Sequence, residues 1–410
     1  MLERDFVLLR QWPDDYRQPQ ISVVVQVLGL NLLLRTTVVC RARLIARGIL
    51  IIVTYAAIVC GAQAANAQLA TFTDIAGRTI ELSHPARRVI LADGQLLTAL
   101  ALLESDPTEQ VVGWADNFVR FDPSTYGQYR QRFPRMADIS VVGGTTADTF
   151  SVEKALSLRP DLVIVPLWFG TSSTMETQLN AAGVAVAYVD FFNDPIKNTA
   201  ASMRILGKAL GQEGRAEAYI DFYESHMRRI SERLAGADVT RPKVFLHARA
   251  GGWECCWSAG GKVGEFIEFA GGENIAKSVV KGATGQLSLE YVLSQDPDIY
   301  IAAGGADLPG SGGFMIGPGA SAELVHSALK DAAQEPGIGT LSAFAKGRAH
   351  ALWLFFFHSP TNVLAVEAMA KWFHPDLFAD IDPQKTLAEI NEKFLAVPMQ
   401  GTYWADLLDP

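Results

Sequence analysis

Cysteine is scarce in this chain. Four occur in 410 residues: Cys40 and Cys60 near the N-terminus, and the adjacent pair Cys255 and Cys256. No distant pair remains to staple the body of the protein, so stability must come from its buried cores. Adjacent cysteines either close a vicinal disulfide or stay as two buried thiols, and the sequence leaves both open. Histidine is thin as well, with seven scattered copies. No CxxC or HxxxH spacing supports a direct metal site, and none is expected. Long cationic runs are missing and the formal net charge is −9, which argues against a nucleic-acid partner. No G-x-S-x-G elbow, Walker loop, dinucleotide fingerprint or HExxH helix occurs. Gly310-Ser-Gly-Gly313 and Gly317-Pro-Gly319 lack the lysine and helix of a phosphate loop, and Cys256 stands where an elbow before Ser258 needs glycine. Nothing points to catalysis.

What is present is apolar content, 49% of the chain, in a length that suits two ordinary domains. The N-terminal part is organised differently from the rest. Arg41 to Arg47 is basic, Ile49 to Ala62 is almost wholly apolar, and Ala65-Asn66-Ala67 follows. That order reads as a secretory signal cleaved after Ala67. The apolar stretch of about 14 residues falls short of the ~20 that span a bilayer. Residues 1–40 are unusual for a signal, carrying four acids and a second apolar patch. No methionine lies between Met1 and Met136. We therefore expect translation to begin near Val38, Val39 or Leu44 from a non-ATG codon. A lipid anchor at Cys60 is the lesser alternative, since Val59 is a poor residue to precede it.

From Arg88 onward, short β-branched runs alternate with helical patterns, as in parallel sheets wrapped by helices. Strands are expected at Val89–Ala92, Val111–Trp114, Leu162–Pro166, Ala185–Val189, Val244–Ala248, Ile299–Ala302 and Ala349–Leu354. One comparison organises them. Residues Ser151 to Val165 align without gaps on Ser288 to Ala302, with seven of fifteen positions identical. Each copy reads as an N-capped helix, a Pro-Asp turn and a buried strand. The fold class is therefore α/β, with two Rossmann-like, parallel-rich lobes. A helical pattern from Pro195 to Leu234 joins them as a long bridging helix, broken or bent at Gly211 and Gly214. The expected organisation is residues 1–67 as extension and signal, 68–194 as the first lobe, 195–236 as the bridge and 237–410 as the second lobe. Two closing helices, Asn362–Phe373 and Pro383–Phe394, end the chain. A helical bridge restricts the lobes to small hinge or shear motion.

These features, with the paired S-x-E…P-D-x-x-I element, resemble the extracytoplasmic binding proteins that serve ABC importers for ferric siderophores, haem and cobalamin. The resemblance runs from about Phe72 to Trp404. Asp74 to Leu82 looks like that family's opening strands. Ala370 to Phe378 and Gly401-Thr-Tyr-Trp404 are similar to its closing helices, particularly in iron-uptake members. It implies a periplasmic, monomeric protein that carries a ferric siderophore and docks on a permease dimer in the inner membrane. Iron would travel within the cargo, with no intrinsic cofactor. It further implies that Glu153 and Glu290, which occupy the same place in the two copies, meet arginines of the permease. The alternative for each glutamate is helix chemistry, since an acid in a first turn is stabilised by ~0.3–1 kcal/mol.

Ligands of parallel α/β sheets sit beyond the carboxyl ends of the strands, and pockets favour domain interfaces. Five of the eight tryptophans fall there: Trp114, Trp168, Trp253, Trp257 and Trp353. As a set they suit an aromatic-walled cleft, although any one of them is as readily core packing. Arg120 and Arg249 are the expected partners of a solute's negative charge, with Arg249 foremost because it closes the first strand of the second lobe. His358 completes the candidate ligand set. Haem would draw its axial ligand from His358, His247 or Tyr126. The run Gly304 to Gly319 reads equally as a lid or as a plain surface loop. An exported metal-dependent enzyme on the same scaffold is the rival class, and it predicts histidines and carboxylates clustered where this chain places Trp, Phe and Arg.

Overall fold

A computed structural model describes residues 69–408 apart from 147, 172, 252–254, 262 and 306–312. The expected signal segment, Cys60, Trp253 and much of the glycine-rich run lie outside the described residues. The chain enters through an antiparallel hairpin of β1 (Ala70–Thr73) and β2 (Thr79–Leu82). Five strands then form one parallel sheet: β3 (Val89–Leu91), β4 (Val111–Ala115), β5 (Ser140–Gly143), β6 (Leu162–Pro166) and β7 (Ala185–Val189), in the order β5-β4-β3-β6-β7. The chain winds outward from β3 on one side, then crosses back to β6 and β7 on the other. That is a doubly wound sheet, with its switch point beside β3.

The strands read as near-continuous apolar runs because both faces are covered. Ile90, Val163, Val165, Val186 and Tyr188 pack into one core, while Val89, Leu91, Leu162, Ile164, Ala187 and Val189 pack into another. The second of these continues through the bridging helices into the C-terminal half, taking in Met203, Leu206, Tyr219, Ile230, Leu246, Ile301 and Leu352.

The second sheet is built from β8 (Lys243–Ala248), β9 (Trp257–Ala259), β10 (Glu273–Asn274), β11 (Thr284–Gln286), β12 (Ile299–Gly304) and, after β13 (Gly317–Pro318), from β14 (Ala349–Trp353). Of the two closing strands, β15 (Gly401–Thr402) pairs with β13 in a separate two-stranded sheet and β16 (Trp404–Asp406) joins the second sheet beside β14. Strand order is β11-β9-β8-β12-β14-β16, with β10 beside β8. The inner trio β8, β12 and β14 is parallel and repeats β3, β6 and β7. The edges depart from the copy, because β9, β11 and β16 run antiparallel. The copied helices are Val152–Ser157 and Leu289–Gln295, each capped by a serine hydroxyl: Ser151 receives the amide of Lys154 and Ser288 that of Tyr291.

The bridge is two helices, Pro195–Leu210 and Glu213–Ala235. Gly211 breaks it with φ +70, the left-handed cap that an L-residue enters at a cost. Gly214 lies within the second helix and breaks nothing. The two glycines therefore separate experimentally. A Cβ at Gly211 would also lie 2.9 Å from Pro85 Cγ, whereas at Gly214 nothing lies within 4 Å. Gly211→Ala should cost about 1–2 kcal/mol in urea unfolding. Gly214→Ala should be neutral or stabilising by up to ~1 kcal/mol.

Candidate functional site

Alternation along β8 decides what faces the seam between the halves. Phe245 and His247 turn into the second lobe's own core, where His247 Nδ1 lies 3.0 Å from the Tyr300 hydroxyl and its ring stacks on Phe245. Leu246 and Ala248 turn the other way and line a cavity of about 330 Å3. Arg249, Trp257, Thr284, Phe357 and His358 complete its wall from the second half, and Phe192, just beyond β7, closes it from the first. The cavity thus lies at the carboxyl ends of β7, β8 and β14, where parallel sheets place their ligands.

Arg249 is half-buried, and burial lowers its guanidinium below the usual arginine range. Its backbone is left-handed, φ +59, with its N–H donating to Ala303 O at 2.7 Å. A non-glycine residue in that region costs of order 1–3 kcal/mol and persists where the surroundings hold it. His358 stacks on Phe192 at 4.3 Å and 17°. Burial, and then the neighbouring Arg249 charge, push its pKa down to about 4, so the ring is neutral at physiological pH. One cation, one neutral imidazole and flat aromatic faces make a wall suited to an anionic, partly apolar solute.

His358 also borders a second, smaller cavity of about 40 Å3, which Trp353 lines. Four expected site residues are therefore brought to the seam: Arg249, Trp257, Trp353 and His358. Three are not. Trp114 is a core residue, 4% exposed and packed edge-on against Phe118 and Tyr126. Arg120 points outward, its guanidinium 3.4 Å from Asp116 and lying over Phe121. Trp168 sits half-buried on a short 3-10 turn after β6, outside both cavity walls. The haem candidates His247 and Tyr126 also belong to packing. Sequence reading missed Phe192 and Thr284. Phe192 lies three residues past a correctly placed strand, so the strand-end rule could have found it; Thr284 comes from a short edge strand with no periodic signal. Cys255 and Cys256 are joined as a vicinal disulfide next to Trp257.

Glu153 and Glu290 are both exposed. Each stands in the first turn of the helix that leads into β6 or β12. Such a helix runs antiparallel to the strand it feeds, so its N-terminus lies at the strand's carboxyl end, on the cleft side of its lobe. The serine hydroxyls do the capping. Neither glutamate side chain has an ion pair among the described residues. No group of three or more His, Cys, Asp or Glu side chains among the described residues could hold a metal ion. No helix among them is long and apolar enough to cross a membrane.

Two α/β halves around a ligand-sized cavity at their strand ends define a solute-binding architecture. The chain belongs to the periplasmic binding protein family, whose model matches residues 100–324. Among curated proteins, a cobalamin-binding protein of Halobacterium salinarum is 28% identical over 252 residues, 60% of this chain and 62% of that one. The match thus spans less than two thirds of that relative's length. Among solved structures, the TroA-like periplasmic binding protein FepB from Veillonella parvula is 27% identical with a TM-score of 0.76, covering 82% of this chain and 99% of that one. The molybdate-binding protein MolA of Haemophilus influenzae, 16% identical, shares the fold with a TM-score of 0.62 over 81% of this chain and 99% of its own.

Arg249→Gly should raise unfolding stability by about 1 kcal/mol, by relieving the left-handed backbone. The same variant should weaken an anionic ligand ~10-fold or more, read by calorimetry. His247 sets a pH limit. Burial lowers its pKa from 6.5 to about 4. Between those values the unfolded chain binds a proton that the folded chain refuses, so stability is complete above pH 6.5 and falls as pH drops towards 4. Thermal melting across that window should show a shallower loss for His247→Gln.

Proposed function

We propose that this protein captures an organic metal chelate outside the cytoplasm and hands it to the permease dimer of an ABC importer, acting as an exported monomer cleaved after Ala67. The reading rests on one observation above all: Arg249, Trp257 and His358 share a seam cavity with Phe192 of the other half. A ferric siderophore fits that wall, since Arg249 answers the negative charge of a catecholate or carboxylate chelate while the aromatic faces take its apolar backbone. Cobalamin is the second reading, favoured by the Halobacterium relative. A binding role fits better than catalysis, because the larger cavity, where Arg249 and His358 meet, holds no carboxylate among its described lining residues.

Docking is assigned to Glu153 and Glu290. Exposed carboxylates at matching ends of a duplicated unit suit a two-fold partner that offers an arginine to each.

Tryptophan fluorescence should be quenched at low micromolar concentration or tighter by one class among ferric siderophores, cyanocobalamin and haemin, through Trp257 in the wall. A flat titration with all three would sink the reading. The double reversal Glu153→Lys with Glu290→Lys should abolish uptake in a cell-based assay and leave that affinity intact. Loss of both would instead mark a folding defect.

A further inference from the structure

Adjacency left the state of Cys255 and Cys256 open, and in the fold the two are joined. A disulfide stabilises a fold by closing a loop of chain, and the gain grows with the length of that loop. A bridge between neighbours closes none, so this one is not a staple. Its placement carries more. Cys256 is fully buried, in the same core cluster as Ala250, the residue after Arg249. Cys255 packs half-buried against that cluster. Trp257 follows directly and stands in the wall of the larger cavity.

The bridged pair also heads the ladder between β9 and β11. Cys255 O accepts the Gln286 side-chain amide at 2.8 Å, and Cys256 O accepts the Leu287 N–H at 3.0 Å. From there Trp257 pairs with Gln286 and Ala259 with Thr284. Trp257, Ala259 and Thr284 all line the cavity. Neither cysteine is among the described lining residues, so the pair can act on a solute only by positioning its neighbours. We propose that Cys255 and Cys256 form a redox switch on the cavity, in which the bridged form fixes Trp257 and Thr284 for binding and the reduced form binds more weakly. The proposal rests on the capture reading above and adds its regulation. Reduction frees two side chains and the backbone between them at the head of the ladder. The solute must then order the wall itself, a cost that appears as lost affinity.

The reductant is a dithiol, such as an exported protein with two exchangeable thiols. One thiolate attacks the sulfur of Cys255, the more accessible of the two. The bond to Cys256 breaks, and that sulfur leaves as a thiolate and takes up a proton. The donor's second thiol then attacks the mixed disulfide. It releases the Cys255 thiol and leaves the donor oxidised, with two electrons and two protons passed to the pair.

Maleimide labelling with peptide mapping reads the state of the pair in the full chain, and calorimetry with ferrichrome, cyanocobalamin and haemin reads its effect. The air-oxidised chain should leave Cys255 and Cys256 unlabelled when denatured and should bind one of the three probes. After reduction with dithiothreitol and its removal by anaerobic gel filtration, both cysteines should label. The same probe should then bind about 5-fold or more weakly, and reoxidation should restore it. Coupling is reciprocal, so saturating probe should make the pair harder to reduce, by about 30 mV in midpoint potential for a tenfold coupling. Cys255→Ser with Cys256→Ala, which keeps the buried position apolar, should match the reduced chain and ignore dithiothreitol. Equal or tighter binding after reduction overturns the switch while the capture reading stands. So does labelling of both cysteines in the oxidised chain, a midpoint potential that the probe does not move, or a loss that reoxidation fails to reverse. A chain that binds none of the three probes in either state removes both readings.

Discussion

A guanidinium drawn partly out of water between two α/β halves is the interaction on which the rest depends. Burial lowers the proton affinity of Arg249 and, with the arginine's charge, that of His358. A cation in a medium of reduced dielectric attracts an incoming anion more strongly than one on an open surface. The left-handed backbone at Arg249 belongs to the same arrangement, because the strand must end and turn there for the side chain to stay at the seam. That strain is local, and the surrounding sheet holds it: the Arg249 amide continues the β8–β12 ladder through Ala303.

How far the halves can move follows from where the core runs. One cluster passes without interruption from β3 and β6, through both bridging helices, to β8, β12 and the Val363–Phe373 helix. Pulling the halves apart would expose part of that cluster at roughly 25 cal/mol per Å2. The bridging helices are tied to the C-terminal half by polar contacts as well. Tyr219 donates to Pro360 O at 2.9 Å, and the fully buried Glu367 receives His226 Nδ1 at 2.7 Å and Arg229 at 3.0 Å. Small shear motion around a largely preformed cavity is what such a construction permits.

The inner strands were legible to within a residue or two because both their faces are buried, which gives unbroken β-branched runs bounded by Pro, Gly and Asp. Leu162–Pro166 and Ala185–Val189 stand as read. Short edge strands such as β10, β11 and β16 carry no such signal, since two or three residues cannot show a period. The site was half legible for a related reason. Position at a strand end is readable, but the direction of a side chain there is not. Trp114 is still within β4 and falls on its core face, whereas Trp257 falls on the seam face of β9. His247 and Ala248 are neighbours in sequence and face opposite sides of one sheet. The same limit hid the use of Gly317. Read against a phosphate loop it means nothing; in the fold a Cβ there would overlap Trp353, so glycine lets that indole sit in the wall of the smaller cavity.

The duplication is faithful in one place and abandoned in another, and the division is informative. The helix–turn–strand unit with its serine cap and exposed glutamate recurs in both halves, and its strand is flanked by the same two parallel neighbours each time. The surroundings of the seam do not recur. β9 and β11 pair antiparallel beside β8, carrying Trp257 and Thr284 into the cavity wall, where the first half has the parallel β4 and β5. On the proposed reading, symmetry is kept where a two-fold partner would read it and lost where a single asymmetric solute would be gripped. A symmetric cleft would offer Arg249 a twin from the other lobe. At the place where β7 ends, the first half supplies Phe192 instead, an aromatic face against which the neutral His358 ring lies flat. On the proposed capture reading, charge on one side and a plane on the other would orient a solute that has one polar and one apolar edge.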